Sequence, residues 1–76
     1  MVRILVGTAG GAPANNFIMS LRATDDRDHL IGMCSSPSDL MLADVEERYV
    51  VPYADAPEFP ARLDEIIART KPDFIH

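Results

Sequence analysis

Seventy-six residues suffice for one small domain with one core, because a chain of this size buries only about 60% of the surface it exposes when unfolded. Apolar residues make up 47% and charged residues 25%, ordinary for a globular protein, and no apolar run nears the roughly 18 residues of a membrane span. A net charge of −5, with seven scattered cations, argues against a nucleic-acid backbone as the main partner, since that binding needs clustered Lys and Arg.

Residues 2–6, Val2-Arg3-Ile4-Leu5-Val6, form a near-continuous aliphatic run, the pattern of a parallel strand buried on both faces, with Arg3 near its exposed start. The glycine-rich stretch Gly7-Thr8-Ala9-Gly10-Gly11-Ala12-Pro13 follows. A first helix is expected over residues 13–23, with Phe17, Ile18 and Leu21 on one face, and the polar residues 24–28 end it. His29-Leu30-Ile31-Gly32-Met33-Cys34 reads as strand two. Ser35-Ser36-Pro37-Ser38 is a turn, and Ser38 or Asp39 is positioned to cap a short helix carrying Leu40, Met41 and Leu42. The acidic residues 44–47 read as a solvated connector, and Tyr49-Val50-Val51 as a short strand stopped by Pro52.

The clearest helix covers residues 57–70. Phe59, Leu63, Ile66 and Ile67 fall at i, i+4, i+7 and i+8, and Glu58/Arg62 and Glu65/Arg69 are spaced to pair on its solvent side. Lys71-Pro72 closes it, because the residue before proline disfavours α geometry, and Asp73-Phe74-Ile75-His76 forms strand four. Strand-helix alternation with right-handed crossovers predicts an α/β, Rossmann-like three-layer arrangement. Its four-stranded parallel sheet is ordered 3-2-1-4, with the first two helices on one face and the third on the other. Phe74 and Ile75 then lie on an open edge, which predicts a homo-oligomer, and the whole reads as the front part of a larger protein.

The candidate site lies where strand one feeds the glycine loop. Unpaired N–H groups and the positive helix end converge there with no Cβ in the way, the arrangement of an anion site. The spacing is Gly7-x-x-Gly10, but Pro13 stands at the third position of a G-x-x-G-x-x-G pattern. Strand two ends on Cys34, Ser35 and Ser36, with no acidic residue for a ribose, which disfavours an ordinary NAD site. The alternative use of Gly7, Gly10 and Gly11 is a tight strand-to-helix turn. Asn15 and Asn16 suit a helix cap better than a ligand contact.

Cys34 has no partner for an internal disulfide and no cation or His base nearby in sequence, so it reads as a small buried residue. His29 and His76 read as structural or solvated, and Met19, Met33 and Met41 as core fillers. No Cys/His cluster has metal-ligand spacing, and Met1 is not followed by a basic and apolar export signal, so a reducing cytoplasm is expected.

Four stretches together resemble the N-terminal, pre-ATP-grasp domain of ATP-grasp enzymes, closest to the large subunit of carbamoyl-phosphate synthase. They are Ile4-Leu5-Val6-Gly7 with Gly10-Gly11; Cys34-Ser35-Ser36-Pro37 at the position of that family's Asn-Ser-Asn-Pro turn; Ala43-Asp44 leading to Arg48-Tyr49-Val50-Val51-Pro52; and Ile66-Ile67 with Lys71-Pro72-Asp73-Phe74-Ile75. The chain departs from the pattern at Cys34 and Ser36, where the family carries asparagines. The resemblance implies a ligase that activates a carboxylate or bicarbonate as an acyl-phosphate, with ATP and magnesium held by ATP-grasp segments that follow. This chain then holds no cofactor and is inactive alone. Gly7, Gly10, Gly11, Asn15 and Ser35 are its ligand-side residues, a small carboxylate or anion its ligand, and the ATP-grasp domain its partner. Two rival readings are a nucleotide-binding fragment of an oxidoreductase or epimerase, and a stand-alone interaction module.

Overall fold

The computed structural model describes residues 2–24 and 28–76; residues 25–27, in the middle of the predicted polar loop, and Met1 lie outside the described residues. The elements run β1 (Arg3–Val6), α1 (Ala12–Arg22), β2 (His29–Cys34), α2 (Pro37–Leu40), β3 (Glu47–Val50), α3 (Phe59–Thr70) and β4 (Phe74–Ile75). Among the described residues the strands form one parallel sheet ordered β3-β2-β1-β4, the predicted order.

The two central strands are apolar at successive positions because both faces of the sheet are covered. Ile4, Val6, Leu30 and Cys34 pack with Ala14, Ile18, Leu40, Ala43 and Val45, the α1 and α2 side. Leu5, Ile31, Met33 and Val51 pack with Ile66 on the other side, flanked by Phe59, Leu63 and Ile67 of α3. Leu5, Ile18, Leu30, Ile31 and Ile66 are fully buried, each stabilising the fold by about 1.5–3 kcal/mol.

Several boundaries differ from the sequence expectation, each for a local reason. The β3 strand starts two residues early, at Glu47, because Glu47 pairs in register with Ile31 and its carboxylate is held by side chains from β1 and β2. The connector expected at residues 44–47 is therefore only partly solvated: Glu46 accepts a 2.7 Å hydrogen bond from the Leu30 N–H and pairs with Arg22 at the end of α1. Ser36, not Ser38 or Asp39, caps α2, because Pro37 occupies the first helical position and the Ser36 hydroxyl accepts from the Asp39 N–H. So short a helix buries only Leu40, and Met41 and Leu42 are exposed, as is Met19 on the outer side of α1. Only Met33 of the three expected methionine core fillers is buried.

On α3, Arg62 pairs with Glu65 and lies 5.9 Å over the Tyr49 ring, in place of the Glu58/Arg62 and Glu65/Arg69 pairs expected. Lys71 ends α3 in the left-handed region, φ 49°, and the Arg3 guanidinium satisfies the terminal Thr70 carbonyl at 2.7 Å. Phe74 and Ile75 are 62% and 58% exposed along β4, whose outer edge has no partner strand among the described residues.

The β1–α1 turn lies close against α2 at Gly10. Gly10 has φ +98°, and a Cβ built on it would lie 1.9 Å from the Asp39 carbonyl oxygen. Gly32, in the middle of β2, is less crowded: a Cβ there would lie 3.0 Å from Ala9 and 3.1 Å from Val45 side-chain atoms. At Gly7, by contrast, a Cβ would meet only ordinary contacts at 3.6 and 3.7 Å. Gly10→Ala is therefore expected to destabilise the fold by about 2–4 kcal/mol and Gly7→Ala by less than about 0.5 kcal/mol, read from urea unfolding midpoints.

Candidate functional site

The carboxyl ends of β1, β2 and β3 and the first turn of α3 enclose a cleft of about 130 Å³. Gly7 and Thr8 follow β1, Cys34 and Ser35 lie where β2 ends, and Val51, Pro52 and Ala54 follow β3; Met33 and Phe59 complete the lining. In a parallel α/β sheet this end collects ligands, because loops there converge without being needed for strand pairing. Backbone turns fix the walls. The Val51 N–H donates to the Cys34 carbonyl, Ala56 N–H to Tyr53, and Phe59 N–H to Ala56, which brings the Phe59 ring to the cleft.

The five residues expected at the ligand divide between two places. Gly7 and Ser35 line the cleft. Gly10, Gly11 and Asn15 lie outside its lining, in a turn that closes on itself. The Gly7 N–H donates to the His76 carbonyl, Ala9 N–H to Met33, and Gly11 N–H to Thr8, at 3.2, 3.1 and 3.0 Å. The Asn15 side-chain oxygen accepts from the Gly10 N–H and its amide donates back to the Gly10 carbonyl. Asn15 thus clasps the turn from inside α1, whose cap is Gly11 with no side-chain hydrogen bond. Four donors that an anion would need are already held by protein acceptors.

The sequence does not mark Thr8 as a site residue, and it marks Phe59 only as part of the apolar face of the third helix. Thr8 has φ 51°, uncommon for a non-glycine residue, and its hydroxyl donates to the Gly7 carbonyl at 2.7 Å. The pattern that could have pointed to Phe59 is its place in the first turn of a helix whose N-terminus faces the carboxyl end of the sheet. Cys34 is buried, its sulfur accepting from the Ser36 N–H at 3.5 Å, as its small-residue reading expects. His76 stacks on Phe17 with ring centroids 3.8 Å apart.

A cluster of polar and charged side chains lies at the opposite, amino end of the sheet. Glu47 receives hydrogen bonds from His29 at 2.6 Å, Arg3 at 3.2 Å and the Tyr49 hydroxyl at 2.8 Å. The bonds from His29 and Tyr49 hold its carboxyl below the ordinary value of 4.5, against a smaller opposing effect of burial. The same bond to Glu47 raises the Tyr49 phenol above its ordinary 10.0. Among the described residues no three His, Cys, Asp or Glu side chains are placed to share a metal ion, and no helix is long and apolar enough to cross a membrane. Comparison with family models, with curated proteins and with solved structures returned no match.

Because folding depresses the Glu47 pKa, its contribution to stability is complete above pH 4.5 and is lost as pH falls through the folded-state value. Wild-type protein is expected to be more stable than Glu47→Gln at pH 7, with the gap closing below pH 4.5, as read from urea midpoints across that range. A gap that stays constant into acid would contradict the assignment.

Proposed function

We propose that this chain is a pre-ATP-grasp domain of an ATP-grasp ligase resembling carbamoyl-phosphate synthase, standing on the substrate side of the active site. The observation that supports it most is the cleft at the carboxyl end of a 3-2-1-4 sheet, bordered by Gly7-Thr8 on one side and the Cys34-Ser35 turn on the other. Those are two of the stretches that carry the resemblance. The ligand in this reading is a small carboxylate or related anion awaiting activation.

The lining residues carry no carboxylate for magnesium and no cation for a triphosphate. In this reading magnesium and ATP are held by the ATP-grasp segments, which supply the charge stabilisation that makes an acyl-phosphate. This chain contributes a wall that positions the carboxylate and excludes water. The absence of an acid among the lining residues also weighs against the oxidoreductase reading, whose ribose hydroxyls need one. The exposed β4 edge is the surface by which the domain associates with the ATP-grasp segments or, alone, with a second copy in a cytoplasmic homo-oligomer.

The purified chain is expected to show no ATP hydrolysis and no acyl-phosphate formation, measured by phosphate release and hydroxamate trapping. Reading the coding frame past codon 76 should reveal ATP-grasp segments. Turnover by the chain alone, or a frame that closes without them, would overturn the proposal.

A further inference from the structure

The cleft has a chemical character that the ligase reading does not by itself supply. Met33, Val51, Pro52, Ala54 and Phe59 form its walls, while Thr8 and Ser35 bring the hydroxyls. No lining side chain is charged, and the neighbouring backbone donors of Gly7, Ala9, Gly10 and Gly11 are occupied. A desolvated anion without a countercharge is strongly disfavoured, and a bare anion such as phosphate or bicarbonate finds no charged side chain in the lining. An aliphatic group has a great deal. A cavity of roughly 150 Å³ lined by aliphatic and aromatic side chains takes benzene, and this cleft, at about 130 Å³, is slightly smaller.

We propose that the cleft is an apolar subsite for the tail of a short aliphatic carboxylate of about four carbons, whose head group points out of the cleft past Thr8 and Ser35 toward cations supplied by other segments. The upper bound on size follows from the volume, and the direction of the head from the two hydroxyl-bearing residues and the lack of any charged side chain in the lining. The proposal rests on the ligase reading only for the identity of the head as a carboxylate. The apolar tail is argued from the lining alone.

Amide NMR titration of the chain with acetate, propionate and isobutyrate tests it, with isobutanol carrying the same tail and no charge, and bicarbonate and inorganic phosphate carrying charge and no tail. Binding should tighten about fourfold per added carbon, with shifts at Gly7, Thr8, Ser35 and Phe59. Isobutanol should move the same amides, and bicarbonate and phosphate should not. Gly7→Ala adds a methyl toward Met33 without strain and should weaken isobutyrate at least about tenfold while leaving the unfolding midpoint unchanged. Affinity independent of tail length, equal shifts with bicarbonate or phosphate, or no shift with any probe at 50 mM, about the weakest affinity such a tail could show, would overturn it. Isobutanol binding alongside a closed reading frame would refute the ligase and leave the subsite standing.

Discussion

The constraint on which the site depends is the closure of the β1–α1 turn upon the protein's own acceptors. An α/β fold with a glycine turn between its first strand and helix is predisposed to hold an anion, because that junction leaves N–H groups unpaired. Here Asn15 reaches back to both polar groups of Gly10, Met33 and His76 supply carbonyls, and Gly10 sits against the backbone of Asp39. Gly10 serves close packing of turn against helix. The cleft adjoins this closed turn on the α3 side of the same strand ends.

The sheet is electrically divided along its strands. At the amino end, Arg3, His29 and Tyr49 converge on Glu47, tying three strands through one carboxylate. At the carboxyl end the lining is uncharged. Charge placed far from the cleft stabilises the edge strand β3 without filling the cleft with counterions, and an uncharged cleft favours apolar contact over ionic binding.

The strand order was legible because aliphatic runs at residues 2–6 and 29–34 declare buried parallel strands, and alternation with helices leaves few topologies. The face assignment of α3 was equally legible from Phe59, Leu63, Ile66 and Ile67. What the pattern could not reveal was long-range. Glu47 reads as part of an acidic run until His29 and Arg3 are brought beside it by strand pairing. Asn15 reads as a helix-start residue, yet its partner is Gly10, placed by a turn whose shape depends on Asp39. Met19 and Met41 look like core residues by composition, but one lies on the outer side of α1 and the other just past a single-turn helix. Of the candidate ligand residues, Gly7 and Ser35 reach the cleft because they end strands, which periodicity does indicate.

The most direct test of this account is hydrogen exchange at the individual amides of Gly7, Ala9, Gly10 and Gly11. A turn closed on protein acceptors predicts that these four exchange slowly, alongside strand amides, and that added phosphate leaves their rates unchanged. Exchange at the rate of an unstructured peptide, slowed when phosphate is added, would show open donors awaiting an anion and would contradict the account.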